Sequence, residues 1–153
     1  MSPRHQRSVV AMDEAEVDAF LHGRHTMALA TMGPGGRPHL VAMWYGFVGG
    51  APGFLTFRGT QKYRNLQRDP QVTCLVEDGK AYDELRGVQL LGRAEVLEDE
   101  DRRLELAYDV TERYQGALDA AGRAAVRAQI TKRLAVRIEV EDVVSWDHRK
   151  MGR

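Results

Sequence analysis

Apolar and polar residues alternate over short runs of the chain, with the period of half-buried β-strands. Clusters of glycine and proline separate these runs and predict turns. Gly92 lies inside one run, where a glycine indicates a bulge or a close backbone approach. Six strands with short turns predict an α+β fold dominated by an antiparallel sheet that forms a barrel. The strands are predicted at 25–31, 39–48, 54–57, 72–77, 87–97 and 136–140.

Helical spacing interrupts this pattern near the N-terminus and in the second half of the chain. Asp13 and Glu16 have the spacing of a capping box, and Gly23 is placed to end the helix that they begin. Apolar residues three and four apart predict two longer helices, at 98–114 and at about 120–132.

A further short helix follows the third predicted strand, in a segment that is unusually basic. Thr60 can cap it, and Asp69-Pro70 prevents helical growth beyond about Arg68. The segment RGTQKYRNLQRDP carries five cationic side chains, which could simply form a solvated face. However, Arg58 and Lys62 lie at the N-terminal end of the helix, where positive charge opposes the helix dipole. A bound phosphate would relieve that repulsion, so the segment predicts an anion site.

Composition limits the classes of function. The chain has 153 residues, 43% of them hydrophobic, and is expected to form one domain over residues 1–153. Its 22 basic and 22 acidic residues balance, which argues against nucleic acid or membrane surfaces as partners. No apolar run is long enough for a membrane span or a signal peptide, so we expect a cytoplasmic protein.

The residues needed for serine hydrolysis, cysteine catalysis or metal binding are not found in suitable patterns. No GxSxG motif surrounds any serine, and Cys74 lies in an apolar run typical of an inert buried thiol. His22 and His25 have no third ligand spaced nearby, so no metal site is expected.

The basic segment and its surroundings resemble the pyridoxamine 5′-phosphate oxidase-like split β-barrel superfamily. The resemblance is carried by FLTFRGTQKYRNLQRDPQVTCLV, which is similar to the superfamily's flavin-binding signature, and by GRPHLVAMWYGF and YDELRGVQLLGRAEVLED. The closing VVSWDHRKMG is similar to the branch of deazaflavin-dependent oxidoreductases. This resemblance implies a six-stranded split barrel, also called the FMN-binding split barrel, with flanking helices.

The resemblance also implies a cofactor site at a homodimer interface. The residues implied at the phosphate and ribityl side are Thr56, Arg58, Thr60, Gln61, Lys62 and Asn65. Those implied beside the isoalloxazine are Val41, Ala42, Met43 and Trp44. Those implied to come from the other subunit are Trp146, His148 and Lys150.

Two departures from the oxidases matter. The C-terminal WDHRKMGR lacks their Arg-rich substrate-binding end, and Gly87 replaces a glutamine near the flavin ring. We therefore do not expect oxidation of vitamin B6. Gln61 also stands where relatives carry a second cation, so Lys62 is expected to hold most of the phosphate charge.

The function implied is hydride transfer from reduced coenzyme F420 to a small conjugated substrate. FMN is the alternative cofactor, and a non-catalytic flavin- or haem-binding protein is the alternative class. The catalytic residue stays unassigned, with three possible proton donors: His39, Tyr45 and His148. The cations expected to attract the acidic tail of F420 are Arg58, Arg64, Arg68, Arg4 and Arg7.

Overall fold

The computed structural model describes residues 3–152, with side chains from residue 6 onward. Seven strands and five α-helices lie within that part of the chain. In order they are α1 (Pro3–Val10), α2 (Glu14–His22), β1 (Met27–Met32), β2 (Pro38–Met43), β3 (Gly46–Val48), β4 (Ala51–Thr56), α3 (Gln61–Arg68), β5 (Gln71–Asp78), β6 (Arg86–Val96), α4 (Glu100–Gln115), α5 (Ala120–Ile130) and β7 (Leu134–Asp147). Single helical turns lie at Pro34–Gly36, Tyr82–Glu84 and His148–Gly152.

All seven strands join one antiparallel sheet in the order β2-β1-β5-β6-β7-β4-β3. Its inner face carries the core, in which Leu29, Cys74 and Phe54 are fully buried. The sheet is open, because β2 and β3 are edge strands that do not pair with each other. The predicted antiparallel α+β architecture is confirmed, with seven strands in place of six.

The extra strand arises because the predicted strand 39–48 is interrupted. β2 pairs with β1, whereas β3 pairs with β4 on the other side of the barrel. Between them Tyr45 is fully buried, and its hydroxyl lies within hydrogen-bond distance of the Leu21 and Arg24 carbonyls. This anchor turns the chain, so one apolar run becomes two strands.

The turn into β4 explains why that strand begins earlier than predicted. Gly49 and Gly50 both have positive φ, of 55° and 76°. Two such residues make the hairpin turn that matches the twist of the flanking strands, so β3 leads directly into Ala51.

The last strand is much longer than the predicted 136–140. Its first residues, from Leu134 to Arg137, pair with β4, and the stretch from Val136 to Asp147 pairs with β6. The predicted irregularity at Gly92 is confirmed, because the register of β6 against β7 shifts between Leu91 and Gly92. A Cβ on Gly92 would lie 2.2 Å from the Glu139 carbonyl oxygen, so the close approach requires glycine.

The helix ends that were predicted from capping residues are confirmed. Asp13 and Glu16 form a complete capping box, and Gly23 caps the end of α2. Thr60 caps α3, which ends at Arg68 as Asp69-Pro70 predicts. α1 was not predicted, and none of the described helices is long and apolar enough to cross a membrane.

Most positions on the outer face of the sheet are apolar, across five strands. In register this face carries the rows Leu40, Ala30, Thr73, Leu91, Asp142 and Ala42, Ala28, Leu75, Gln89, Val144. Leu40 is 67% exposed and Val144 45% exposed. A broad apolar sheet face thus stays accessible.

Candidate cofactor site

The loop from β4 into α3 is fixed by its threonines. The Thr60 hydroxyl donates to the Phe57 carbonyl (2.9 Å) and accepts from the Tyr63 N–H, so it caps the helix. Its remaining partner is the hydroxyl of Thr56 (3.0 Å), which is therefore the donor of that bond. The N–H groups of Gln61 and Lys62 belong to the first turn, where an α-helix has no internal acceptor. The loop thus presents a helix N-terminus suited to an anion.

Asn65 ties this helix to the sheet. It is fully buried, and its amide donates to the Thr31 hydroxyl of β1 (3.0 Å). Its carbonyl oxygen accepts from Gln61 (2.8 Å) and from Arg68 (3.2 Å). Because every polar group of this side chain has a protein partner, Asn65 acts here by holding α3 in place.

The cations of the segment carry no acidic partner. Within the described part of the chain, no ion pair includes Arg58, Lys62, Arg64 or Arg68. Lys62 is half-buried, and burial lowers the pKa of its ammonium group. A phosphate beside Lys62 would compensate this desolvation with a charge-assisted hydrogen bond.

His39 brings β2 into the same region. It lies directly opposite Thr31 in the β1–β2 register, and opposite residues of an antiparallel pair share one face of the sheet. Its Nδ1 atom is buried and has no hydrogen-bond partner among the residues that the structure describes. A buried polar atom of this kind is costly unless something bonds to it. Together with Lys62, it suits a ligand that bears phosphate and hydroxyl oxygens.

The four residues implied beside the ring continue along the same edge strand. Val41 and Met43 are half-buried and pack against the main core, whereas Ala42 is exposed. Trp44 follows directly and is 53% exposed. The loop at Thr60 and this strand thus lie on either side of Thr31, and both can face one elongated molecule.

The C-terminal candidates lie elsewhere in the same chain. Leu134 of β7 pairs with Thr56, but Trp146 lies twelve residues further along β7, about 40 Å of strand at roughly 3.3 Å per residue. Trp146 and His148 line a groove of about 830 Å³ together with α1 and Gln89. Arg7 also lines this groove, so it does not extend the cationic surface of α3, and the side chain of Arg4 lies outside the described residues.

His148 and Lys150 have partners within their own chain. The ring of His148 donates from Nδ1 to the Tyr82 carbonyl (2.7 Å). Lys150 donates to the Ala11 carbonyl (2.8 Å) and to Glu16 (2.6 Å), and its bond lowers the pKa of the Glu16 carboxyl. The C-terminal segment therefore helps to hold the N-terminal helices.

The predicted last strand, 136–140, leaves the residues beyond Val144 outside the sheet, and this expectation is wrong. Ser145, Trp146 and Asp147 pair with Val88, Gly87 and Arg86 of β6. Truncation after Val144 would remove part of β7 together with the candidate residues Trp146, His148 and Lys150, so it cannot separate a structural role from a binding role.

Glycine at position 87 makes room for the indole of Trp146. A Cβ on Gly87 would lie 2.1 Å from that ring. We predict that Gly87→Ala displaces Trp146 and destabilises the fold by about 1–3 kcal/mol, because the buried strand cannot absorb the added methyl group. Urea unfolding measures the change, and Gly152→Ala, where a Cβ meets nothing within 4 Å, is the matched control. An unchanged unfolding midpoint would show that the indole moves aside freely.

The three possible proton donors differ in accessibility. Burial raises the pKa of Tyr45 to about 12, and its hydroxyl lies against two carbonyls, so it serves the fold. His39 lies opposite Thr31, the residue that binds Asn65 of α3, and His148 lines the groove beside Trp146.

Sequence reasoning missed Thr31 and Tyr114. Thr31 holds Asn65, and Tyr114 stacks on Trp44. Both contacts join residues more than thirty positions apart, and only the strand register and helix packing bring them together.

Comparisons with known proteins agree with this fold. A crystal structure of Rv2991 from Mycobacterium tuberculosis, described as a conserved hypothetical protein, is 42% identical over 96% of this chain and 92% of its own, with a TM-score of 0.92. A structure described as an F420 reductase is 25% identical over 82% of this chain and 94% of its own, with a TM-score of 0.61. HutZ, the haem storage protein of Vibrio cholerae, is 18% identical over 86% of this chain and 94% of its own, with a TM-score of 0.64, and shares the fold.

Among curated protein sequences there is no significant match. The family model described as pyridoxamine 5′-phosphate oxidase matches residues 13–147, which include every strand of the sheet. The chain therefore belongs to the pyridoxamine 5′-phosphate oxidase family.

Proposed function

We propose that this chain is an oxidoreductase that binds reduced coenzyme F420 and transfers a hydride to a small conjugated substrate. The observation that carries the proposal is the α3 cradle: the Thr60 cap, the half-buried and unpaired Lys62, and the orphaned Nδ1 of His39. These groups suit a phosphorylated cofactor with a hydroxylated side chain. The family and the F420 reductase neighbour support a flavin-type cofactor.

Each group of residues would have its own task. Thr60 and Lys62 would hold the phosphate, and His39 would bond an oxygen of the cofactor's side chain. Val41, Ala42, Met43 and Trp44 would border the ring and exclude water from one side. When bound, the reduced cofactor supplies the hydride, and the acceptor takes up that hydride together with one proton.

The C-terminal group fits this proposal best in a homodimer. Trp146 lies twelve residues along β7 from Leu134, which pairs with Thr56, and this separation along the strand favours a role for Trp146 and His148 beside a partner's cofactor. The apolar outer face of the sheet, with Leu40 and Val144, is the surface that a second copy would cover.

We predict that the protein is a dimer in solution. Light scattering at micromolar concentration should give twice the chain mass of 17.2 kDa. Leu40→Glu should shift it towards monomer, because a charge on this face would be buried without a partner. Ala121→Glu, an exposed position on α5, should leave the mass unchanged. A wild-type monomer that binds cofactor tightly would contradict the shared site.

Salt should separate the two cofactors. Arg58, Arg64 and Arg68 are exposed on or beside α3, and the acidic tail of F420 would pass along them. Exposed charges are screened over about 8 Å at physiological ionic strength. Binding of F420, followed by its fluorescence, should therefore weaken with salt more than binding of FMN does.

FMN is the alternative because the cradle holds the phosphate that both cofactors share. Stoichiometric copurification of FMN, with no quenching of F420 fluorescence at low salt, would make this a flavin protein. Binding without oxidation of the reduced cofactor by added quinones would indicate a carrier. Titration with haem distinguishes the remaining class of binding protein.

A further inference from the structure

The indole of Trp44 is held in a fixed orientation by a residue of a distant helix. Trp44 follows the last residue of β2, and its ring stacks on Tyr114 near the end of α4, with centroids 4.2 Å apart and planes inclined by 5°. One face of the indole is thus covered while the side chain as a whole stays 53% exposed. An exposed tryptophan with a covered face and an open face is an ordered apolar surface.

Tyr114 is itself anchored at three points. Its hydroxyl donates to the His25 carbonyl and accepts from the Tyr45 N–H (2.9 Å). The ring of His25 packs edge-on against it, with centroids 5.7 Å apart. The tyrosine therefore cannot turn without breaking contacts to the segment that leads into β1.

The neighbouring Arg113 fastens the end of α4 to the same corner. Its guanidinium donates to the carbonyls of His22, Arg24 and Tyr45, and it lies 4.8 Å from the centre of the Tyr45 ring. The helix end, the corner between β2 and β3, and the start of β1 thus form one rigid support beneath Trp44.

We propose that Tyr114 is a positioning residue: by stacking on one face of Trp44, it keeps the other face directed towards the flat ring of the bound cofactor. This inference rests on the proposed function, in which Trp44 borders that ring. An aromatic side chain that is already ordered binds a planar ring without a further loss of conformational entropy. The stacking of Tyr114 therefore increases the affinity for the cofactor. Tyr114 needs no contact with the cofactor for this role.

The test uses the fluorescence of Trp44 in a Trp146→Phe parent, which leaves Trp44 as the single indole of the chain. Tyr114→Leu removes the stacked ring, whereas Tyr114→Phe keeps the ring and removes only the hydroxyl bonds. Tyr108→Leu is the matched control, because Tyr108 is a half-buried tyrosine of the same helix whose ring faces Arg123. Acrylamide quenching is measured in this parent, whereas cofactor affinity, melting temperature and light scattering are measured for the same Tyr114 and Tyr108 variants with Trp146 retained, because Trp146 is itself a candidate cofactor residue.

The expected result separates positioning from stability. Tyr114→Leu should raise the acrylamide quenching of Trp44 without cofactor, and should raise the dissociation constants of FMN and F420 by roughly two- to tenfold, the value of an aromatic pair. Tyr114→Phe should lower the melting temperature but leave quenching near that of the parent and affinity near that of the wild type. Tyr108→Leu should lower only the melting temperature.

Three results would overturn the inference. Unchanged quenching in Tyr114→Leu would show that Trp44 is held by other contacts. Raised quenching with unchanged affinity would remove Trp44 from the ring site. A shift from dimer to monomer in Tyr114→Leu without cofactor would place Trp44 in the subunit contact. The wild type tests the proposed function separately, because its failure to bind either FMN or F420 would overturn that function before any variant is compared.

Discussion

Replacement of Lys62 with alanine is expected to weaken cofactor binding by about 1.5–3 kcal/mol, or roughly ten- to hundredfold. The ammonium group of Lys62 is half-buried and has no acidic partner in the described chain, and burial lowers its pKa. The fold gains little from such a group, whereas a phosphate at the Thr60 cap gains a charge-assisted bond. The melting temperature of the cofactor-free protein should therefore barely change.

Fluorescence titration with F420 and FMN measures this effect for both cofactors. Lys132→Ala is a suitable control, since Lys132 is exposed at the turn after α5 and lies in no proposed site. Equal affinities for the wild type and Lys62→Ala would contradict the phosphate site and would indicate that the basic segment is simply a solvated face.

Asn65→Leu is expected to have the largest effect on stability, with a loss of about 2–4 kcal/mol in the free energy of unfolding. Leucine has a similar volume but cannot donate to the hydroxyl of Thr31, a residue that is 2% exposed, and that hydroxyl would lose this partner. It also cannot accept from Gln61 or Arg68. α3 would then lose its attachment to β1, and cofactor affinity should fall together with stability.

Urea denaturation gives the stability change, and Gln67→Leu provides the control on an exposed position of the same helix. If Asn65→Leu lowers affinity but leaves the unfolding midpoint unchanged, Asn65 contacts the cofactor and does not act through the position of α3. The pair Lys62 and Asn65 thus distinguishes a ligand contact from a support residue.

These two residues illustrate how the candidate site is divided. Lys62 offers an unpaired charge to a ligand, whereas Asn65 uses all its polar groups within the protein. The C-terminal candidates divide in the same way: Lys150 is paired with Glu16, but Trp146 and His148 line an open groove. Of these three residues, Trp146 and His148 are therefore the better candidates for contact with a ligand.

Short-range chemistry was predictable from the sequence. The capping box at Asp13, the Thr60 cap and the Asp69-Pro70 stop each depend on groups within four residues, and all are confirmed. The irregularity at Gly92 was also predictable, because a glycine inside a long strand usually marks a bulge or a close backbone approach. The basic segment and its helix could therefore be assigned before any fold was known.

Long-range pairing was decided only by the tertiary structure. The run 39–48 contains Gly46 but no cluster of turn residues, and the burial of Tyr45 under α2 divides it into β2 and β3. The contacts of Thr31 with Asn65 and of Trp44 with Tyr114 likewise join distant segments. The sequence by itself determined the capped, basic helix that begins at Thr60, because caps and charges act locally. The tertiary structure decided which residues face it, because strand register and packing depend on the whole sheet.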